Sequence, residues 1–237
     1  MASSYDAIAG LYDAWSRSVT EDVSFYVEEA LASGGPVVEL GVGTGRIAVP
    51  VALAGLRVIG VDSSRGMLDV CRTHARAAGV EDWIDLREGD LRVPPVSERT
   101  PLVTAPFRSF LHLETDEDRL AALRAARGLL EADGRFIFDV FAPSRDDIEE
   151  TNGRWIEREP GIWERADWDE GRCILGLSVH GPDGETRMEL AWLPPDRWAE
   201  LLEEAGFAVV ERYGWFDRRP DEGGEDTVWI ARPRLPG

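Results

Sequence analysis

The residues of this chain with the most legible chemistry are three glycines at alternate positions, Gly41, Gly43 and Gly45, and the aspartates Asp62 and Asp90 beyond them. Glycines spaced in this way let a backbone turn sharply and approach a ligand with no Cβ in the way. The segment that follows, residues 46–54, carries on as a helix whose N-terminal amides favour an anionic or polar ligand end. Asp62 closes the apolar run 56–61 about 20 positions beyond the first glycine. A carboxylate at the end of a neighbouring parallel strand can there accept hydrogen bonds from both ribose hydroxyls of a nucleoside.

Composition narrows the partners. The 237 residues carry 26 basic against 45 acidic side chains, a net charge of −19, so the chain lacks the cationic field that nucleic acid or an anionic membrane would need. Every basic residue apart from the histidines is arginine, which excludes a Schiff-base lysine and the lysine of a phosphate-binding P-loop. Cys71 and Cys173 are far apart, show no metal-ligand spacing and read as core thiols, and no metal site is expected. The opening Ser3-Ser4-Tyr5-Asp6 is unlike a signal peptide, and no apolar run is long enough to span a bilayer, so a cytoplasmic protein is expected.

The elements that must position these residues follow from periodicity. Residues 5–15 have helical period, carry three aromatics, could form a lid and end at Ser16-Arg17-Ser18. Thr20 with Glu21 and Asp22 opens a helix whose stripe Val23, Tyr26, Val27, Ala30 and Leu31 runs to Gly34. The apolar run 36–40 suits a strand buried on both faces. Further strands are expected at 56–61, 83–87, 102–105 and 135–141. Between them lie a helix capped by Ser63 or Ser64, and one opened by Thr115 and running towards Asp133-Gly134. This alternation calls for a doubly wound, mostly parallel sheet. Residues 153–193 change to strand-like alternation with a turn at Pro182-Asp183-Gly184, a local antiparallel sheet of about three strands. A helix from Pro195 and two strands, 208–213 and 227–231, complete seven strands in a single domain over 1–237.

Two cofactor classes compete for the glycine loop. A dinucleotide site wants glycine at the first, third and sixth places, and the sixth here is Arg46. With Glu39 before the loop, Asp62 after the second strand and Asp90-Leu91 after the third, the chain strongly resembles the class I S-adenosylmethionine-dependent methyltransferases with a Rossmann-like fold. The opening Tyr5-Asp6-x-Ile8-Ala9-x-Leu11-Tyr12-Asp13 is similar to small-molecule members of that family. The resemblance implies S-adenosyl-L-methionine as cofactor and S-adenosyl-L-homocysteine as product. It implies Gly41, Gly43 and Gly45 under the methionine part and sugar, Asp62 on the ribose with Ser63 beside it, and Met67 packed on adenine. Asp90 with the Leu91 amide would read the adenine edge, the Ala105 carbonyl would hold the ammonium, and Glu39 would support the loop. A nicotinamide-type oxidoreductase and a non-catalytic cofactor-binding regulator stand as alternatives.

On the acceptor side, methyl transfer from a sulfonium is in-line, so alignment and desolvation dominate, and a base is needed only for a protonated acceptor. His112, after the fourth strand, is the best placed of the three histidines to be that base, and reads equally as a helix-start or core residue; His74 reads as solvated and His180 as structural. Arg108 could pair with an acceptor carboxylate or phosphate, or make an ordinary salt bridge. Tyr12, Trp15, Phe107, Phe141 and Tyr213 could form an aromatic cage, or simply pack. The tryptophan-rich insertion, with Trp155, Trp163, Trp168 and Trp192, is expected to cover the substrate or to pair two subunits into a homodimer. The expected partner is a small-molecule acceptor, methylated at nitrogen or oxygen.

Overall fold

A computed structural model describes residues 4–16, 20–182 and 184–234; Arg17, Ser18 and Asp183, named above in a helix end and a turn, lie outside the described residues. The main sheet is built from β1 (Val37–Leu40), β2 (Val58–Asp62), β3 (Ile84–Glu88), β4 (Thr100–Ala105), β5 (Leu130–Phe141), β10 (Phe207–Tyr213) and β11 (Asp226–Pro233). Its order is β10-β11-β5-β4-β1-β2-β3. All pairings are parallel except those of β11, which runs antiparallel to both β5 and β10. The order reverses between β1 and β4, which pair directly. In an open parallel sheet that switch point leaves a crevice at the carboxyl ends of the strands.

Period-two alternation divides the apolar residues between two cores. Val38, Leu40, Val103, Phe136, Phe138 and Trp229 face one cluster, shared with α5 (Asp116–Gly128) and α7 (Pro195–Glu204). Their neighbours Val37, Leu102, Ile137 and Val228 face another, shared with α2 (Glu21–Ser33) and α3 (Ala48–Leu53). Trp198 of α7 is fully buried against Phe110 and Phe138, with ring centroids 6.3 and 5.5 Å away.

The second sheet, order β6-β7-β8-β9, is antiparallel throughout and comprises four strands where about three are expected: β6 (Trp155–Glu159), β7 (Ile162–Asp169), β8 (Ile174–Gly181) and β9 (Gly184–Ala191). Its extra member is β6, whose pairing with β7 is broken by a bulge between Glu157 and Glu159 that hides the alternation. The segment begins earlier than 153, with α6 (Arg145–Thr151), whose cap Ser144 accepts from the Asp147 N–H. Other boundaries move for local reasons. α5 stops at Gly128, so Leu129 caps it and Leu130 enters β5, carrying Asp133-Gly134 into the strand. Trp83 belongs to a 3-10 turn, Glu81–Trp83, ahead of β3. Thr20 makes no side-chain cap; the Glu21 carboxylate accepts its N–H at 3.0 Å. Between residues 5 and 15, a 3-10 turn (Ser4–Ala7) precedes α1 (Ala9–Trp15).

Candidate active site

The glycine loop leaves β1 under strict backbone direction. The N–H groups of Gly41 and Val42 both donate to the Val61 carbonyl, at 2.8 and 3.0 Å, pinning the loop to β2. Gly41 has φ 79°, and a Cβ there would collide with the Ser109 hydroxyl. Gly43, at φ 54°, faces open space, and its N–H donates to Asp62 Oδ2 at 2.9 Å. The other Asp62 oxygen accepts the Ser64 N–H at 2.8 Å. The carboxylate is thus fixed from both sides, while burial pushes its pKa up. Ser64, rather than Ser63, caps α4 (Arg65–Ala77) by accepting the Met67 N–H.

These residues border a cavity of about 430 Å³ lined by Gly41, Gly43, Asp62, Ser63, Met67 and Leu91, with Tyr5 and Tyr12 closing it from the N-terminal segment. That segment is latched at two points, once to the start of the helix after β2 and once to the glycine loop. Asp6 Oδ1 accepts from the Ser64 hydroxyl at 2.6 Å and the Gly66 N–H at 3.0 Å. Asp13 accepts the Thr44 hydroxyl at 2.6 Å. His74 is not a solvated bystander: Nδ1 is 3.0 Å from the Thr44 carbonyl oxygen and Nε2 is 3.3 Å from Asp13, because α4 lays it beside the loop.

Four residues expected around the cofactor, Gly45, Asp90, Ala105 and Glu39, stand outside the lining. Gly45 has φ 85° and a Cβ there would come 2.5 Å from Cys71 Sγ, so this glycine lets the loop pack on α4. Asp90 is claimed by Arg92, whose guanidinium donates to it at 2.6 and 2.9 Å and whose N–H does so at 2.8 Å. This pairing holds Asp90 below its ordinary pKa. Ala105 is buried at the end of β4, and the next residue, Pro106, reaches the cavity instead. Glu39 lies buried beneath the loop, where desolvation pushes its pKa up to about 8 against the pull of Arg46. Of the two thiols, Cys71 is in the core, whereas Cys173 is only partly covered, in the turn before β8.

A second chamber of about 360 Å³ opens behind the first. Its roof is the small sheet, through Ala166, Trp168, Leu175, Leu177 and Leu190, and its floor includes Phe141, Asp139 and Trp15. Tyr5, Phe107, His112 and Met188 line both cavities and form the seam between them. At that seam the Tyr5 hydroxyl lies 2.9 Å from His112 Nε2, and the two rings meet edge-on at 5.1 Å. The His112 side chain is open to the cavities, yet desolvation by the protein around it lowers its pKa to about 4 although it donates to the Glu189 carbonyl. The imidazole is therefore neutral at physiological pH. Tyr12 packs edge-on against Tyr5, Trp15 and Phe107, and burial raises its pKa.

Phe107 and Arg108 are both left-handed, φ 53° and 62°, a conformation that costs non-glycine residues about 1–3 kcal/mol each. Asp139, at the carboxyl end of β5, holds that turn by accepting the Phe107 N–H at 2.8 Å and the Arg108 N–H at 3.0 Å. The Arg108 guanidinium bonds to Asp226 at 2.8 Å and covers the Phe141 ring at 4.4 Å, so it is part of the chamber wall. Trp15 donates from Nε1 to Glu164 at 2.9 Å. Tyr213 does not reach either chamber: it stays on edge strand β10, bonded to Glu211, and the chain then turns so that Trp215 and Phe216 line the chamber. His180 packs edge-on against Trp155 at 6.3 Å.

Several lining residues have no counterpart among the sequence candidates. Asp139 carried a signal, a lone acid near the carboxyl end of the apolar strand 135–141, and Tyr5 stood within the opening motif. Met188 and Glu164 carried none, because only folding brings the small sheet over the switch point. Among the described residues no group of three or more His, Cys, Asp or Glu could hold a metal ion. No helix among them is long and apolar enough to cross a membrane.

Residues 37–134 match a family model described as a methyltransferase domain. A putative methyltransferase of Geobacillus sp. (strain WCH70) is 27% identical over 93% of this chain and 92% of its own length. The ubiquinone biosynthesis O-methyltransferase of Dinoroseobacter shibae is 29% identical over 75% of this chain, which spans 62% of that protein. Among solved structures, the CcbJ methyltransferase of Streptomyces caelestis superposes with a TM-score of 0.84 at 26% identity, covering 99% of both chains.

Proposed function

Because the chain belongs to the class I S-adenosylmethionine-dependent methyltransferases, we propose that it methylates an amine nitrogen of a small molecule held in the second chamber. The observation that carries this reading is the lining: among the described residues the carboxylates Asp139, Asp147, Glu164, Glu225 and Asp226 stand against two arginines, Arg108 and Arg158, among aromatic walls. Arg108 is engaged by Asp226 and Arg158 by Glu164. Burial, with Asp147 alongside, pushes the Glu225 carboxyl up, a strain that a cationic guest between them relieves. Ring faces add to the attraction for an ammonium.

The first cavity fits the cofactor. Gly43 leaves its backbone bare, Asp62 is oriented for ribose hydroxyls, and Met67, Ser63 and Leu91 would flank the base. S-adenosylmethionine, when bound, supplies a methyl group on a positively charged sulfur and becomes neutral S-adenosylhomocysteine. The chain's task is then alignment across the seam and exclusion of water. Tyr5, Phe107, His112 and Met188 confine the path between the two chambers, and the bound ammonium passes one proton to a lining carboxylate such as Glu225, whose raised pKa suits it to accept it, so that the neutral amine attacks the methyl group. Oxygen is the second reading, favoured by the Tyr5–His112 pair, whose neutral imidazole can accept a hydroxyl proton.

The small sheet is the acceptor's cover in this reading, within a single domain. Trp155 and Trp163, exposed on it, support a contact with a second copy, to be checked by the solution mass. We place the protein in the cytoplasm and expect no nucleic acid partner. The test is thermal stabilisation by S-adenosylhomocysteine against NAD, then radiolabelled methyl transfer to matched amines and hydroxyl compounds. Turnover of amines supports the proposal, and turnover of hydroxyl compounds alone replaces it with the second reading. Stabilisation by NAD alone would make the chain an oxidoreductase, and cofactor binding without any transfer would make it a regulator.

A further inference from the structure

The seam between the chambers is set by a residue pair that touches neither ligand pocket from the front. Helix α2 turns Asp22 and Tyr26, four apart and on one face, into the protein, where both are essentially inaccessible. Asp22 takes the Arg46 guanidinium in a two-pronged bond of 2.6 and 2.5 Å. The same guanidinium lies 4.4 Å from the centroid of the Phe107 ring. Tyr26 donates its hydroxyl to Asp139 Oδ1 at 2.6 Å, and that oxygen also accepts the Phe107 N–H. One helix face thus grips Phe107 twice, through its ring and through its backbone. Phe107 is also the residue whose left-handed φ would relax if the grip were lost.

We propose that Tyr26 and Asp139, with Asp22 acting through Arg46, are positioning residues that fix the Phe107 ring at the boundary between cofactor and acceptor. Tyr26 packs against Phe25 and Phe216 at 5.4 and 6.1 Å, a setting that phenylalanine would fill equally well. The hydroxyl serves Asp139, and two of the Asp139 acceptor positions serve the 107–108 turn.

This rests on the methyl-transfer reading, and its test has one arm independent of any acceptor. With 4-fluorophenylalanine at position 107, the parent should give one sharp ¹⁹F resonance. Tyr26→Phe and Asp139→Asn should broaden or split it. In the kinetic arm, with an acceptor that the unmodified protein turns over, Tyr26→Phe should lower kcat about fivefold and Asp139→Asn at least about thirtyfold, since ångström-scale misplacement costs up to about a hundredfold. Affinity for S-adenosylhomocysteine should stay within about threefold in both. Tyr26→Phe preserves the packing, so it remains informative should Asp139→Asn fold poorly. An unchanged resonance in Tyr26→Phe, or a changed resonance with parental kcat, overturns the proposal. Losses of melting temperature, cofactor affinity and kcat in parallel would also overturn it, as the signature of a purely structural role. Failure of the unmodified protein to turn over any acceptor counts against the methyl-transfer reading instead, and the ¹⁹F arm still decides whether these residues hold the ring.

Discussion

Replacing Gly43 and Gly45 separately by alanine divides the glycine loop into a part that meets the cofactor and a part that meets the protein. Both residues are left-handed, φ 54° and 85°, so each alanine carries about 1–2 kcal/mol of backbone cost. At Gly43 no protein atom lies within 4 Å of the new methyl group, so the stability loss should end there. That methyl points where the cofactor is proposed to lie, and affinity for S-adenosylhomocysteine should fall at least about tenfold, or 1.4 kcal/mol. At Gly45 the methyl would stand 2.5 Å from the buried Cys71 Sγ of α4, which adds about 1–3 kcal/mol of overpacking. The total approaches about 2–5 kcal/mol, while the affinity of the folded fraction should change little. Urea unfolding gives the first quantity and isothermal titration calorimetry below the transition gives the second. If Gly43→Ala binds S-adenosylhomocysteine within twofold of the parent, the loop does not hold the cofactor as argued.

Asp62→Ala should weaken S-adenosylhomocysteine binding by about 1–3 kcal/mol, the cost of leaving buried polar partners unpaired; calorimetry with unchanged affinity would remove Asp62 from the site. Glu39 has a folded pKa of about 8 against an ordinary 4.5, so the folded state holds more protons between these values and loses stability as pH rises through them. Glu39→Gln should remove that loss, whose slope approaches about 1.4 kcal/mol per pH unit, and denaturant midpoints with the same pH dependence in both proteins would refute it. His112→Ala should lower turnover much more than cofactor affinity, and since the imidazole titrates near 4, its own ionisation should leave the rate flat between pH 6 and 8. A parental rate would leave His112 structural.

The parallel sheet was legible because buried strands advertise themselves as short apolar runs between helical patterns, and because Gly41, Gly43 and Asp62 carry backbone and hydrogen-bond requirements that local sequence expresses. Legibility failed where a role depends on which neighbour reaches a residue first. Asp90 reads as a ligand contact, and nothing in the local sequence says that Arg92, two positions on, folds back to pair with it. Gly45 looks like its two companions until α4 brings Cys71 against it. Tyr213 shares its aromatic character with the chamber residues but stays on the edge strand, and the turn after it delivers Trp215 and Phe216 instead. The four-stranded sheet was read one strand short because a bulge interrupts the period at Glu157–Glu159. The second chamber had no sequence signature as a whole, since its walls come from the N-terminal segment, β5, the small sheet and the 214–226 loop.

The roof of the second chamber is one continuous excursion, leaving the parallel sheet at the end of β5 and rejoining the body at α7. Gly41, Gly43, Asp62 and Met67 all precede it in the chain. The glycine loop with Asp62 and the roof of the second chamber are therefore written in separate stretches of the gene, and they meet at Arg187, Met188 and Glu189 of β9, which border the first cavity. Recombination or drift within α6 through β8 can reshape that roof while the glycine loop, Asp62 and Met67 are inherited intact. For an engineer the same separation defines a cassette: libraries confined to α6 through β8 vary the proposed acceptor roof, and S-adenosylhomocysteine binding remains available as a check that each variant is folded.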